Sequence, residues 1–135
     1  MDRATMRGLK AVKVVIDNPQ PATPREALDN QQLQTLVELR LQNAGIATNP
    51  DAVEFLGVNA TYTRERRGPY AAAFAIGLYQ VVMLGRERSI KSVVETWGLQ
   101  SVQLAQPKQL HQVSRKNLEA LVDQFIVAYR SVNPK

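Results

Sequence analysis

Hydrophobic and polar positions along this chain of 135 residues follow two periods, and the period switches at recognisable breaks. Over residues 9–17, Val12, Val14 and Ile16 alternate with Ala11, Lys13 and Val15, the two-residue repeat of a strand. Asn18-Pro19-Gln20-Pro21 ends it, because proline has no N–H to give a sheet ladder. Leu33, Leu36, Val37, Leu41 and Ala44 then recur three and four apart, which places them on one stripe of a helix. Two starts fit that helix. One is Thr23-Pro24-Arg25-Glu26, a capping box with proline in the first turn, and the other is Asp29, just ahead of Asn30. Gly45 is the expected left-handed stop, with Ile46 as its apolar contact.

Period two returns over 53–63, where Leu56, Val58, Ala60 and Tyr62 share a side. A polar turn containing Gly68-Pro69 leads into a long strand over 70–84. In that strand Ala72, Phe74, Ile76, Leu78 and Val82 face one way, and Ala71, Ala73, Ala75, Gly77, Tyr79 and Val81 face the other. After a second turn at 85–89, residues 91–103 carry Val93, Trp97 and Leu99 as a fourth strand. Short connections make these last three strands an antiparallel meander. Beyond Pro107 the period becomes helical to the end: Leu110, Ser114, Leu118, Leu121, Phe125, Ala128, Tyr129 and Val132 mark one face, widened by Val113 and Val122, and Asn133-Pro134 closes it.

The order β-α-β-β-β-α predicts an α+β domain over residues 9–135, a two-layer sandwich of a four-stranded, mainly antiparallel sheet with both helices on one face. Residues 1–8 are expected to be disordered or foreign to the natural domain. Covering one face leaves the other open, and the strand at 70–84 is apolar on both sides. If a helix packs on the Ala/Gly row, then Phe74, Ile76, Leu78 and Trp97 form an exposed interaction surface. The reverse assignment fits the pattern equally, as does a central strand covered by edge loops or the N-terminal segment. The open face points to a homodimer or a protein partner. The alternative is a small-molecule or peptide binder in a groove between the last helix and the sheet, near Trp97.

Composition narrows the chemistry. The absence of cysteine removes disulfides, thiolate metal sites and cysteine nucleophiles. The only histidine, His111, has no second histidine or cysteine with which to hold a metal. Glu119 and Asp123 lie four apart on the last helix, and Asp17, Glu54 and Glu95 in or beside strands. No spacing gathers two of them, so helix salt bridges and solvated faces are expected. Glu95 shares a strand parity with Trp97, so a buried face there would require an arginine partner. No glycine-rich phosphate loop is present. These observations predict no catalytic, cofactor or metal residues and a domain that is not an enzyme.

The net charge of +5 invites a nucleic-acid reading. The basic groups divide into Arg64, Arg66 and Arg67 in one turn and Arg86, Arg88 and Lys91 in the next, diluted by Glu65 and Glu87. Those turns sit at opposite ends of a strand up to about 50 Å long. No nucleic-acid partner is therefore expected. No run reaches the ~20 apolar residues of a membrane span, and the first residues have no apolar signal core.

The C-terminal run LVDQFIVAYRSVNPK over 121–135 resembles the ending of a family of bacterial proteins that mostly carry export signals and have no assigned activity. Val37-Glu38-Leu39-Arg40-Leu41, Ala44-Gly45-Ile46 and Thr96-Trp97 fit the same family. The element order is similar to small periplasmic domains of envelope assemblies, such as the amino-terminal domain of TolB-like proteins. The resemblance implies a periplasmic or exported protein, the alternative being a cytoplasmic one, and a role in protein interaction or envelope association.

Overall fold

The structure, a computed structural model, describes residues 2–17, 24–25, 27–64 and 66–134. Strand β1 is Ala11–Asp17, helix α1 Asn30–Asn43, β2 Ala47–Thr48, β3 Phe55–Arg64, β4 Tyr70–Met83, β5 Lys91–Ala105 and helix α2 Leu110–Val132. A 3-10 turn precedes β1 at Asp2–Met6, and another, Pro107–Gln109, leads into α2.

The class is α+β, as the sequence predicts, but the sheet has five strands and is mixed, in the order β2-β1-β3-β4-β5. Two corrections follow. First, β1 runs parallel to both β2 and β3. Parallel neighbours require a crossover, and α1 supplies it, so the first third of the chain is a β-α-β unit and the sheet is mixed rather than mainly antiparallel. Second, β2 escapes a periodicity search because two residues display no period. The β3-β4-β5 part is the expected antiparallel meander.

Helix α1 starts at the later of the two candidate positions. Asp29 is its N-cap: its carboxylate accepts from the Gln32 N–H at 2.8 Å, and the Gln32 side chain accepts from the Asp29 N–H at 2.9 Å. The rival start depends on Thr23 and Glu26, which lie outside the described residues. Gly45 takes φ +85°. The Ile46 N–H reaches the Leu41 carbonyl at 2.9 Å and the Gly45 N–H the Gln42 carbonyl at 3.0 Å, a Schellman ending that buries Ile46.

The N-terminal segment set apart by sequence belongs to the domain. Met6 is fully buried in the core. The Asn133 side chain accepts from the Gly8 N–H at 2.8 Å and donates to the Met6 carbonyl at 3.0 Å, and the Tyr129 hydroxyl donates to the Leu9 carbonyl at 2.9 Å. The end of α2 thus ties down the beginning of the chain, a contact over more than a hundred residues that no local pattern encodes.

One core lies between the sheet and the helices. Val12 and Val14 of β1, Leu56 to Tyr62 on alternate positions of β3, and Ala72, Phe74, Ile76 and Leu78 of β4 meet Leu33, Val37 and Leu41 of α1 and Leu118, Leu121, Val122 and Phe125 of α2.

Candidate interaction surface

The strand register decides which row of β4 faces the helices. Leu56, Val58, Ala60 and Tyr62 of β3 sit opposite Leu78, Ile76, Phe74 and Ala72, and all are buried. Trp97 packs edge-on against Phe125, with ring centroids 5.4 Å apart. Phe74, Ile76, Leu78 and Trp97, expected from sequence as an interaction surface, are only 1, 1, 0 and 8% exposed. They are core residues. Burying a phenylalanine, isoleucine or leucine stabilises by roughly 1.5–3 kcal/mol each, far more than an alanine methyl or a glycine, so α2 packs on the large row and leaves the Ala/Gly row outside.

The open face is therefore built from that second row. Across β3, β4 and β5 it reads Thr63-Ala71-Leu104, Thr61-Ala73-Val102, Asn59-Ala75-Gln100 and Gly57-Gly77-Gly98. Val102 and Leu104 are 67 and 72% exposed beside the small Ala73 and Ala71. Val81, Met83 and Val93 add a second exposed apolar group at the other end.

Between the two groups runs a trough floored by the three paired glycines. A Cβ on Gly77 or Gly98 would collide with the Glu95 carboxyl, which lies across them, and one on Gly57 would come within 3.1 Å of the Tyr79 ring. Tyr79 in turn stacks on Phe55, centroids 4.9 Å apart and 8° from parallel. The depression holds about 380 Å³ and is lined by Asp17, Phe55, Tyr79 and Glu95 among others.

Glu95 and Trp97 do not share a face, which corrects the parity argument. The β4–β5 register jumps between Leu78, opposite Trp97, and Tyr79, opposite Glu95, leaving Thr96 as the extra residue of a bulge. The Thr96 hydroxyl accepts from Gln80 Nε2 at 2.8 Å. Trp97 enters the core, whereas Glu95 is exposed on the outer face and needs no buried partner.

A separate groove lies on the helix side, between the edge strand β5 and α2. Its main part, about 380 Å³, is lined by Leu99, Ser101 and Gln103 from β5 and by Val113, Lys116, Asn117 and Gln124 from α2. A smaller part, about 250 Å³, shares Leu99 and Gln124 and extends to Trp97, Val127 and Arg3. Asn117 is 4% exposed and its Nδ2 has no hydrogen-bond partner among the described residues. An unmet buried donor costs about 1–3 kcal/mol.

The sequence matches no protein-family model and no curated protein. The fold is similar to a chain of a PelC dodecamer from Paraburkholderia phytofirmans, at 12% identity and a TM-score of 0.49 over 91% of this chain and 87% of that one. It is also similar to a minor lipoprotein from Acinetobacter baumannii, at 11% identity and a TM-score of 0.27 over 91 and 92% of the two chains. Likeness at these levels carries no functional argument.

The carboxylates of α2 find a partner that spacing alone does not show. Arg40 of α1 donates from Nε and Nη2 to the two Asp123 oxygens at 2.7 and 2.8 Å and from Nη1 to Glu119 at 3.1 Å. Hydrogen bonding to Arg40 holds the Asp123 carboxyl below the usual carboxylate range, against an opposing contribution from burial. Glu54 lies at the start of the meander, apart from this cluster, and its carbonyl accepts from the Lys13 N–H at 3.0 Å. His111 lines a shallow groove between the helices with Leu39, Arg115 and Glu119. Tyr62 is displaced as well: burial pushes its hydroxyl pKa up, partly offset by the hydrogen bond to Ser114 at 3.3 Å. The displaced groups Arg40, Asp123 and Tyr62 serve helix pairing and core packing. Among the described residues no three metal-ligating side chains converge, and no helix is long and apolar enough to cross a membrane.

Proposed function

We propose that this chain is a non-enzymatic protein-interaction domain of the bacterial envelope that self-associates by packing the open sheet faces of two copies. The observation that carries the reading is the exposure of Val102 and Leu104 beside Ala73 and Ala71 on a face that no helix covers. Around a two-fold axis the large pair of one copy fits over the small pair of the other, the self-complementarity that an isologous interface requires. Two sheets packed this way stand about 10 Å apart. At about 4.8 Å between strands and 3.3 Å per residue, the uncovered face spans on the order of 600 Å² in projection. That is close to the ~800 Å² per partner of a stable interface once side-chain relief is added.

Light scattering and sedimentation velocity over a concentration series are expected to show a reversible dimer. The double variant Val102→Ser, Leu104→Ser should shift it to monomer without loss of folded stability, since both side chains are exposed in the single copy. A wild-type chain that stays monomeric at the highest concentration overturns the reading. Placement in the envelope rests on the resemblance of the final helix and its Asn133-Pro134 ending. Fractionation of cells producing the natural protein should recover it outside the cytoplasm, and recovery in the cytosol removes that part.

A further inference from the structure

The groove beside Trp97, which the sequence offers as a second candidate site, runs between α2 and the core-side positions of the edge strand β5. Lys116, Ala120, Gln124 and Val127 recur at helical spacing and form the α2 stripe that lines it. Ala120 sits in the middle of that stripe, and its small side chain leaves a gap between helix and strand. From Lys116 to Val127 the groove is about 16 Å long, at 1.5 Å of helix rise per residue.

The exposed surface of the groove is mainly apolar, the lining of a small-molecule site with a few orienting polar groups. Its two ends differ in chemistry. At one end Trp97, Leu99 and Val127 form an apolar pocket, with Arg3 and Asp123 at its rim. The 3-10 turn Asp2–Met6 packs against both β5 and α2 there and closes that end. Gln80 Nε2 donates to the Thr5 carbonyl at 3.0 Å and fixes the turn in place. Toward the other end the strand becomes polar, with Ser101 and Gln103, and Lys116 stands at the mouth. Lys116 is exposed and forms no ion pair among the described residues. Residues 107–116 also hold Lys108 and Arg115 and no carboxylate, so this end is basic.

We infer that this groove binds a long-chain carboxylate, a single-chain amphiphile with an anionic head. The tail lies along Ala120 and Leu99 and ends at Trp97, and the head pairs with Lys116. Length, width and polarity select that class. The groove matches the ~15 Å depth of one leaflet, half of a ~30 Å hydrocarbon core and the span of one acyl chain. Its main part, about 380 Å³, has room for roughly a dozen methylene-sized groups at about 30 Å³ each, which is one chain and not two. The head goes to Lys116 because Asp123 lines the Trp97 end, whereas no carboxylate lines the Lys116 end. The site lies on the helix side of the sheet, away from Val102 and Leu104, and does not depend on self-association.

Trp97 is the only tryptophan, so its fluorescence reports on the closed end of the groove alone. The probe is dodecanoate brominated at its terminal carbon, titrated into the full chain. Saturable quenching is expected, and dodecanoate brominated beside its carboxylate should quench far less. Unbrominated competitors then rank the ligands. Affinity should rise about two- to fourfold per methylene from octanoate to dodecanoate and level off at tetradecanoate. Dodecyltrimethylammonium, the same tail with a cationic head, should bind at least about tenfold more weakly, and Lys116→Glu should cut that preference by about fivefold or more. Ala120→Phe fills the gap and should weaken dodecanoate at least about tenfold with an unchanged thermal midpoint, because Ala120 is exposed. No saturation up to about 1 mM, the weak end of specific binding, overturns the proposal. So does equal or reversed quenching by the two bromo isomers, equal binding of the cationic amphiphile, or full affinity in both variants. The variant Val102→Ser, Leu104→Ser should bind dodecanoate as the wild type does, so failure of dimerisation and failure of ligand binding are read separately.

Discussion

Arg40 is where two carboxylates from the other helix converge, and it shows how a single side chain links distant segments. Its guanidinium spans Asp123 in a two-point contact and reaches Glu119, to which Arg115 also approaches at 3.6 Å. The group is more than a third exposed, so solvent screens it and its worth is that of a good surface network. Arg40→Ala is expected to cost about 1 kcal/mol at neutral pH in denaturant unfolding. The sign of the pH dependence follows from Asp123, whose folded pKa is lowered. A carboxyl depressed on folding contributes stability that is present above its unfolded value of about 3.9 and is lost as pH falls through the lower folded value. The difference between wild type and Arg40→Ala should therefore be constant near neutral pH and shrink only in acid, as pH falls past the unfolded value and through the lower folded one. A difference that persists in acid assigns the arginine's role to packing instead. A core position behaves differently. Phe125 is fully buried and holds the edge of Trp97, so Phe125→Ala should cost about 3–5 kcal/mol with little pH dependence.

At the scale of elements, helix limits and strand phase are set by different kinds of information. The start of α1 is a local matter between Asp29 and Gln32, and Asp29→Ala should lose about 1 kcal/mol of stability by thermal or chemical melting. The end of α1 is equally local, since Gly45 supplies the positive φ that the turn into β2 requires. Strand phase is not local. The alternation in β4 is legible, with Phe74, Ile76 and Leu78 on one side, but which side is buried depends on what α2 can cover. The bulge at Thr96 inverts parity within β5, so counting along the chain sends Glu95 into the core with Trp97 while the paired register keeps it outside. A bulge is a property of two strands, and one strand's sequence does not record it.

At the scale of the whole molecule, the chain's beginning and end form one structural unit. Met6 fills a core site, and Asn133 and Tyr129 bind the backbone at Met6, Gly8 and Leu9. Deleting residues 1–8 should therefore destabilise the domain by about 2–5 kcal/mol, the range for losing a buried methionine-sized side chain. Circular dichroism melts of the full and shortened chains measure this, and equal midpoints would show that the segment is dispensable. The residues 18–23, where the sequence places a proline-bounded break, lie outside the described set and enter none of these arguments. The sequence by itself determined the α+β class, both long helices, four of the five strands and the C-terminal stop of α1, with Asp29 as one of two candidate starts. Each depends on periodicity or on hydrogen bonds within a few residues, and short-range patterns are written directly in the chain. Only tertiary structure decided the parallel pairing of β1, the face of β4 that is buried, the convergence of Glu119 and Asp123 on Arg40, and the unmet amide of Asn117. Those depend on which surfaces meet across long separations, where large side chains outcompete small ones for burial and one bulge resets the register of an entire strand.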